Sequence, residues 1–261
     1  MSLQEILARK RIDIENELLG GLMNDIERRA FSMPAPRDFY GALAAGGLSV
    51  IAEVKKASPS KGIIAPDFDY AKIASAYDGG GAEAISVLTE RHFFQGSDTY
   101  LAEIKELVQI PVLRKDFMID ERQILESKAI GADAILLIAG ILDDKTMRKL
   151  YELAQESGLH CLFEAHNEAE VKRAADCGAR IIGVNNRNLK TFQIDLATFE
   201  QLRKFIPSGT LAVAESGIAS SGDAQYMRQA GADAILVGET LMRTEDPGAM
   251  IKAFKEGRRC Q

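Results

Sequence analysis

The stretch Gly131-Ala132-Asp133-Ala134-Ile135 has three close copies elsewhere in the chain, and together the four copies decide the fold. The other copies are Gly81-Ala82-Glu83-Ala84-Ile85, Gly178-Ala179-Arg180-Ile181-Ile182 and Gly231-Ala232-Asp233-Ala234-Ile235. Each copy follows residues with helical spacing, so we interpret its glycine as the left-handed residue that ends a helix. The apolar residues after the glycine predict a short buried strand. The four copies therefore mark four junctions from a helix to a strand.

Four more apolar runs lie between these junctions and complete a repeating pattern. They are Val50 to Val54, Pro111 to Leu113, His160 to Phe163 and Leu211 to Ala214. Short strands that alternate with helices predict a parallel α/β architecture, and eight strands are the number that closes a (β/α)8, or TIM, barrel. The doubly wound alternative is less favoured, because no G-x-G-x-x-G pattern follows the first strand.

The residues before the first strand are predicted to form a helical extension. Residues 3–30 have apolar positions at helical spacing, and Gly20-Gly21 is expected to divide them into two helices. After a linker at 33–38, a further helical turn or two is expected to end at Gly46-Gly47. This segment is too short for a core of its own. We therefore predict a single domain, with residues 1–47 as an N-terminal helical extension packed on a barrel of residues 48–261.

Composition and charge restrict the partners. The 261 residues carry a net charge of -6 without a basic tract, which argues against binding to nucleic acid. No apolar run approaches the roughly 20 residues of a membrane span, and the first residues lack the basic and apolar regions of a signal peptide. The three cysteines, Cys161, Cys177 and Cys260, have no paired short spacing, which favours reduced thiols over a disulfide framework or a zinc cluster. We expect a cytoplasmic protein without membrane or nucleic-acid partners.

The first strand runs into a polar loop, Ile51-Ala52-Glu53-Val54-Lys55-Lys56-Ala57-Ser58-Pro59-Ser60-Lys61-Gly62. Glu53 and Lys55 are two positions apart, so both side chains point to the same face of a strand. Charged groups on a buried face are costly unless they are paired or used in chemistry. The pair is either a structural ion pair or part of an active site, and this stretch alone does not decide between them.

Polar and charged residues also follow other predicted strands. They are Arg114-Lys115-Asp116 after the third strand, Glu164 after the fifth, Asn185-Asn186-Arg187 after the sixth and Glu215-Ser216 after the seventh. In a (β/α)8 barrel the carboxyl ends of the strands form the catalytic face, so these groups should meet around one mouth. Any one of them could be a structural charge. A purely structural interpretation of all of them is much less favoured.

The loops after the seventh and eighth strands predict a phosphate site. They contain Ser216-Gly217-Ile218 and Gly238-Glu239-Thr240. Glycine lets backbone N–H groups approach an anion closely, and these two loops form the usual phosphate site of this fold. The alternative is that the glycines only form tight turns between strands and helices.

The three histidines do not predict a metal site. They are His92, His160 and His166, and none has the spacing of a helical ligand pair. His160 lies in an apolar run and is interpreted as a core residue. His166, two positions after Glu164, could lie near the mouth, and for it we favour a surface role over ligation.

With these residues in view, the chain resembles the indole-3-glycerol phosphate synthase family, whose members close the indole ring in tryptophan biosynthesis. The resemblance runs from the N-terminal helices to nearly the last residue. Besides the loop after the first strand, its segments are Val112-Leu113-Arg114-Lys115-Asp116-Phe117, Gly183-Val184-Asn185-Asn186-Arg187-Asn188-Leu189, Ala214-Glu215-Ser216-Gly217-Ile218 and Val237-Gly238-Glu239. Because the chain contains one barrel, it looks like the single-function form of the family.

The resemblance implies a sugar-phosphate substrate, 1-(2-carboxyphenylamino)-1-deoxyribulose 5-phosphate, and no metal or other cofactor. The product would be indole-3-glycerol phosphate, with loss of CO2 and water, so the enzyme would be a carbon–carbon lyase. By this resemblance the substrate- and phosphate-binding residues are Ser58, Arg187, Leu189, Ser216, Gly217, Gly238 and Glu239. Phe93 and Phe117 would line an apolar slot for the aromatic ring, or else serve ordinary barrel packing.

The resemblance also implies catalytic roles. Lys115 looks like the acid that protonates the carbonyl oxygen, and Glu164 looks like the base of the dehydration. Lys55, oriented by Glu53, resembles the cation that holds the substrate carboxylate. Asn185 and Glu215 resemble the residues that hold the sugar hydroxyls and the lysines. Whether Lys55 or Lys115 is the acid in the dehydration stays open.

Two rival interpretations remain. The first is a Schiff-base aldolase on the same phosphate-binding barrel, with Lys55 or Lys115 as the nucleophile. The second is a barrel that only binds a phosphate ligand and has no catalytic activity. The oligomeric state and any association with other enzymes of the tryptophan pathway are open at this point.

Overall fold

The structure is a computed structural model that describes residues 3–19, 23–188 and 191–256. Eight parallel strands close into a barrel in which each strand pairs with the next and the last pairs with the first. The barrel strands are β1 Ser49–Val54, β2 Ala84–Leu88, β3 Val112–Lys115, β4 Ala134–Ile138, β5 His160–Ala165, β6 Ile181–Asn185, β7 Leu211–Glu215 and β8 Ala234–Val237. Ser49 lies opposite Ala234 where β1 meets β8. The predicted (β/α)8 barrel is therefore confirmed.

Helices precede the barrel and separate its strands. They are α1 Leu3–Leu19, α2 Met23–Ser32, α3 Phe39–Leu43, α4 Tyr70–Gly79, α5 Asp98–Leu107, α6 Arg122–Ala129, α7 Asp144–Glu156, α8 Glu168–Asp176, α9 Ala197–Arg203, α10 Ser221–Gln229, α11 Glu239–Arg243 and α12 Pro247–Glu256. A 3-10 turn at Ala139–Ile141 follows β4. The loop after β1 also forms a two-stranded hairpin of Ala57–Ser58 with Gly62–Ile63.

The four repeated glycines have the conformation expected of them. Their φ angles are 86° at Gly81, 90° at Gly131, 91° at Gly178 and 90° at Gly231. At each junction the N–H of the following alanine donates to the carbonyl five positions earlier, as from Ala132 to Ser127 at 2.9 Å. This pattern satisfies the free carbonyls at the end of a helix. Each copy therefore turns the chain from an outer helix into a barrel strand.

The third residue of three copies also links neighbouring strands. Its carboxylate accepts a hydrogen bond from a backbone N–H at the start of the preceding strand. The pairs are Glu83 with Val50 at 2.7 Å, Asp133 with Val112 at 2.8 Å and Asp233 with Ala212 at 2.8 Å. In the remaining copy Arg180 replaces the acid, and its guanidinium stacks 4.0 Å from the ring centroid of Tyr40. The repeat thus sets the pairing of strands as well as the turn.

The barrel interior is packed with apolar side chains from the strands, including Ile51, Leu113 and Leu162. Phe39 and Leu43 of α3 join this cluster from the amino-terminal end, where they close the barrel. A larger apolar layer fills the space between the strands and the outer helices. Since one end is closed by α3, the opposite end is left for a binding site.

The extension before β1 contacts the barrel at several places. The two predicted helices are α1 and α2, and the Gly20-Gly21 pair expected to divide them lies outside the described residues. Helix α2 packs against α6, whereas Leu3 and Ile6 of α1 reach the mouth of the barrel. The division of the domain into residues 1–47 and 48–261 stays a prediction.

Within the described residues, no helix has the length and hydropathy that a membrane span requires. Cys161 and Cys177 are buried free thiols, and Cys260 lies outside the described residues.

Removal of the Asp133 carboxylate is expected to destabilise the fold more than removal of its counterpart Asp233. Asp133 is fully buried, pairs with Lys105 and accepts N–H bonds from Val112 and from Arg37 of the extension. Asp133→Ala leaves a buried cation and two amides without a partner, so we expect a loss of about 3 kcal/mol in the free energy of unfolding.

Asp233→Ala is the matched control, because Asp233 accepts the Ala212 amide but pairs with no cation among the described residues. We expect this control to lose about 1 kcal/mol. Urea unfolding of both variants measures the difference. Equal losses would contradict the proposed contribution of the Lys105 pair.

Candidate active site

A cavity of about 690 Å³ lies at the carboxyl ends of the barrel strands. Most of the predicted site residues line it together, although they come from distant parts of the chain. They are Glu53, Lys55, Ser58, Lys115, Phe117, Glu164, Asn185, Arg187, Glu215, Ser216, Gly217, Gly238 and Glu239. A parallel barrel explains this convergence, because the carboxyl ends of all its strands open on the same side. The individual roles of these residues stay predictions.

Two predicted residues are not placed at the cavity. Leu189 lies outside the described residues. Phe93 is not among the residues that line the cavity, whereas its neighbour Phe94 lines it and has its ring centroid 6.2 Å from that of Phe117. The cause is the buried carboxylate of Glu90, which accepts the N–H groups of residues 92, 93 and 94 and so shapes this loop. Spacing along the sequence could not choose between two adjacent aromatic residues.

Lys115 at the end of β3 lies among buried carboxylates. Its Nζ is 2.8 Å from Glu164 Oε2 and 3.8 Å from Glu215 Oε2. Burial would lower the pKa of Lys115, but the charges of Glu164, Glu215 and Glu53 raise it above its ordinary value. Lys115 is therefore an ammonium ion at neutral pH, and this ion can donate a proton to a substrate atom that gains negative charge.

The pKa values of Glu164 and Glu215 are shifted in opposite directions. Burial would raise the pKa of Glu164, but Lys115 and His166 hold it well below the ordinary range. Burial and the nearby Glu164 carboxylate raise the pKa of Glu215 to about 8. At neutral pH the first is thus a carboxylate that can accept a proton, and the second is a neutral acid. Two carboxyl groups separated in this way can take different parts in one reaction.

Glycines make room for two of these carboxylates. A Cβ atom on Gly183 of β6 would lie 2.1 Å from Glu215 Oε1. A Cβ atom on Gly238 after β8 would lie 2.3 Å from Glu53 Oε1 and 2.9 Å from Lys55 Nζ. Neither distance leaves room for a side chain. A side chain at either position would therefore displace the charged ends of Glu215, Glu53 and Lys55 from the places that they hold here.

The first strand presents the predicted charged pair. Lys55 Nζ lies 2.5 Å from Glu53 Oε1, and the Glu53 side chain is almost fully buried. Both residues line the cavity. The carboxylate fixes the ammonium group at the mouth, where it can interact with an anionic ligand.

The two predicted phosphate loops lie side by side. Ser216 and Gly217 have positive φ angles of 65° and 86°, so the loop after β7 turns sharply below the cavity. Thr240 Oγ1 donates to the Ile218 carbonyl at 2.8 Å and ties the two loops together. The side chain of Glu239 pairs with Arg243 at 3.2 Å. Its backbone N–H lies at the start of the short helix α11.

Asn186 has a structural role that its place in the sequence does not indicate. It is buried, and its Nδ2 donates to the Ser216 carbonyl at 3.1 Å. Its Oδ1 accepts the N–H of Phe199 at 3.0 Å. Asn186 thus supports the loop after β7 from behind the cavity. The neighbouring Asn185 faces the cavity and accepts the N–H of Arg187 at 3.0 Å.

The first helix also reaches the site, through a residue that the sequence did not identify. Lys10 Nζ lies 2.7 Å from Asp116 Oδ1, and both side chains are almost fully buried. Burial would raise the pKa of Asp116, but Lys10 and Arg114 hold it below its usual value. The available signal was a charge on the apolar stripe of α1, where Lys10 lies between the buried Ile6 and Ile14.

The expectation of a surface role for His166 is corrected. Its side chain is only 12% exposed, and its Nε2 lies 3.3 Å from Glu164 Oε1. His166 lies in the short connection between β5, which contains Glu164, and α8. His160 lies at the opposite end of β5, half-buried and 3.6 Å from Asp38. Among the described residues, no group of three or more acidic, histidine or cysteine side chains could hold a metal ion.

Residues 3–254 match the family model described as indole-3-glycerol phosphate synthase. The indole-3-glycerol phosphate synthase of Acetivibrio thermocellus is 48% identical over 260 residues, which covers 98% of this chain and 99% of that protein. The protein of the same name from Lacticaseibacillus casei is 47% identical over 258 residues, with coverage of 98% and 99%.

Solved structures with little sequence identity share the fold. A 3-hexulose-6-phosphate synthase has a TM-score of 0.63 at 15% identity and covers 80% of this chain and 99% of its own. Orotidine 5'-phosphate decarboxylase from Pyrococcus horikoshii OT3 has a TM-score of 0.61 at 13% identity, with coverage of 80% and 98%. The family model and the close relatives span nearly the whole chain, and the chain therefore belongs to the indole-3-glycerol phosphate synthase family.

Proposed function

We propose that this protein is an indole-3-glycerol phosphate synthase, a carbon–carbon lyase that converts 1-(2-carboxyphenylamino)-1-deoxyribulose 5-phosphate to indole-3-glycerol phosphate, CO2 and water. The observation that carries this proposal is the cluster of Lys115, Glu164 and Glu215 in the cavity. It combines a charged acid, a carboxylate base and a neutral carboxylic acid within a few ångströms. Ring closure with dehydration requires both proton donation and proton removal.

The cavity offers a separate place for each part of this substrate. The phosphate would bind to backbone N–H groups of Gly217, Gly238 and Glu239, with Ser58, Arg187 and Ser216 nearby. The substrate carboxylate would bind Lys55, which Glu53 orients. The aromatic ring would lie between Phe94 and Phe117, which face the cavity. A volume of about 690 Å³ is typical of sites for molecules of this size.

The proposed reaction begins with attack of the ring carbon that bears the carboxylate on the ketone carbon of the sugar. Lys115 donates a proton to the ketone oxygen as it becomes an alcohol. The carbon–carbon bond to the carboxylate then breaks, CO2 leaves, and the ring regains its aromatic electrons. In the dehydration Glu164 accepts the carbon-bound proton, while a lysine at the mouth, Lys55 or Lys115, protonates the departing hydroxyl. Asn185 and Glu215 would hold the sugar hydroxyls and the lysines.

The Schiff-base aldolase is less well supported. An imine-forming lysine must lose its proton to become a nucleophile, and a depressed pKa favours that loss. Lys115 has a raised pKa because of its carboxylate neighbours, and Lys55 is paired with Glu53. A barrel that only binds a phosphate ligand is also less well supported, because binding alone does not require two carboxyl groups with opposite pKa shifts.

The proposed reaction uses neither a metal nor an organic cofactor, because the lysine ammonium groups can supply the positive charge and the protons. The proposed partner is the small sugar-phosphate substrate rather than nucleic acid, in keeping with a net charge of -6. We further propose a cytoplasmic location, where thiols such as the buried Cys161 and Cys177 stay reduced.

Indole formation is the direct test of the proposed reaction. The chain contains no Trp, so its own indole fluorescence is absent. We expect indole emission to rise when the carboxyphenylamino-deoxyribulose phosphate is added to the protein in excess chelator. A keto-sugar phosphate with borohydride is the control for imine formation. A flat emission trace from folded protein, or trapping of a lysine, would contradict ring closure and favour the aldolase.

Lys115→Ala tests the proposed acid. We expect kcat to fall by at least about 100-fold, because general acid catalysis typically contributes that much or more. Substrate affinity, measured by calorimetry, should change by no more than about threefold, since the phosphate and carboxylate are held elsewhere. Lys145→Ala in the exposed start of α7 is the control and should retain full activity. A rate near that of the unchanged protein would remove Lys115 from the acid role.

The pH dependence of kcat/KM should report the ionisation of Glu215. Above its pKa of about 8, Glu215 becomes negative close to Lys115, which raises the pKa of Lys115 further and makes it a weaker acid. We therefore expect kcat/KM to fall as the pH rises through about 8. Glu215→Gln cannot ionise, so its profile should lack this limb even if its absolute rate is lower. The same alkaline limb in both proteins would assign it to another group.

A further inference from the structure

His166 is a largely buried ionisable residue beside the site to which the proposed reaction gives no role. The imidazole of His166 lies between two carboxylates that belong to different elements. Its Nε2 is 3.3 Å from Glu164 Oε1 at the end of β5, and its Nδ1 is 3.1 Å from Glu170 Oε2 in α8. His166 is not among the residues that line the cavity. It therefore acts on the site through Glu164.

The two oxygens of Glu164 have different neighbours. Oε2 faces the cavity and accepts a hydrogen bond from Lys115 Nζ at 2.8 Å. Oε1 faces away from Lys115, toward the imidazole of His166. The contact at Oε1 is an ion pair rather than a hydrogen bond, since His166 Nε2 has no hydrogen-bond partner among the described residues. Attraction between the imidazolium and the carboxylate favours the orientation in which Oε1 points to His166 and Oε2 to Lys115.

His166 is itself held by the start of α8. Its backbone N–H donates to Glu170 Oε2 at 2.8 Å. Asn167, the N-cap of α8, accepts the N–H of Glu170 at 3.0 Å and donates its own Nδ2 to Glu170 Oε1 at 2.6 Å. This reciprocal pattern fixes the first turn of a helix. A Cβ atom on Gly140 would lie 3.1 Å from Glu170 Oε1, so glycine at position 140 leaves room for this carboxylate.

We propose, on the basis of the proposed function, that His166 is a positioning residue that holds Oε1 of Glu164, so that Oε2 stays directed at Lys115 and at the substrate proton. Its positive charge also keeps Glu164 in the carboxylate form that accepts this proton. Helix α8 thereby supports the base of the reaction through the series Asn167, Glu170, His166 and Glu164.

The charges around His166 agree with this role. Burial would lower its pKa, but the hydrogen bonds and charges of Glu164 and Glu170 raise it to about 10. Across Glu164, the other charged group is Lys115, which is itself surrounded by Glu215 and Glu53. Both the imidazolium and the ammonium lower the pKa of Glu164. Loss of the imidazolium should therefore raise that pKa, although Lys115 still opposes the rise.

Two substitutions separate orientation from charge. His166→Ala removes both the orienting contact and the positive charge. We expect kcat to fall by about 10- to 100-fold, as when a residue that supports a functional group from outside the site is lost. KM should change by no more than about twofold, because His166 does not line the cavity. His166→Gln keeps an N–H donor near the position of Nε2 and should recover part of kcat. In both variants the acid limb of kcat, which follows protonation of Glu164, should move upward by about one pH unit or more.

His160→Gln is the matched control, because His160 belongs to the same strand but lies at its other end. This variant should retain kcat and the position of the acid limb. Circular dichroism and thermal unfolding must show that all three variants are folded at the assay temperature. A fall in kcat that only follows the unfolded fraction, or unchanged kcat and acid limb in both His166 variants, would overturn the proposal.

A second readout does not depend on turnover. Carboxyl carbon NMR of 13C-labelled protein, with Glu164→Gln to assign the signal, gives the pKa of Glu164 in the unchanged protein and in His166→Gln. A higher pKa in the variant supports the proposal, and an unchanged pKa overturns it. If the unchanged protein forms no indole while this shift is present, the proposed reaction fails but the coupling of His166 to Glu164 stands.

Discussion

At the mouth of the barrel the ammonium group of Lys115 lies 2.8 Å from Glu164, in a place where water cannot solvate it fully. Removing charges from water is costly unless opposite charges accompany them with good geometry. The site meets this requirement by balance: Lys115 and His166 are positive, Glu164 and Glu170 are negative, and Glu215 is neutral below its pKa of about 8. The charges that would perform the chemistry are thus the same charges that allow the cluster to be buried.

The backbone around this cluster is shaped to admit it. Gly183 and Gly238 lie against Glu215 and Glu53, where a Cβ atom would collide with a carboxylate oxygen. Gly183 lies within β6, where the neighbouring strands hold its backbone, and Gly238 directly follows β8. Each glycine and the charged residue on the adjacent strand form one unit. This explains why glycines near the mouth serve the packing of the site as well as the approach of a phosphate.

Elements outside the barrel hold the site from behind. Helix α1 contributes Lys10, whose buried pair with Asp116 lies next to Lys115 in the chain. Helix α8 contributes Glu170, which contacts His166 behind Glu164. The proposed acid and the proposed base thus each have a contact from a separate helix beside them. Such outer contacts hold reacting groups within the narrow range of positions that proton transfer requires.

Local rules were enough to predict the barrel and most of its mouth. A left-handed glycine before a strand is a local preference, and charges at the ends of parallel strands must meet on one side. Lys55, Lys115, Glu164 and Glu215 could therefore be placed together from their positions alone. The tertiary structure decided that Phe94 rather than Phe93 lines the cavity, that Lys10 pairs with Asp116, where His166 lies and that the pKa of Glu215 is raised. Each of these depends on the path of a loop or on desolvation by residues far away in the chain, and neither is a property of local sequence.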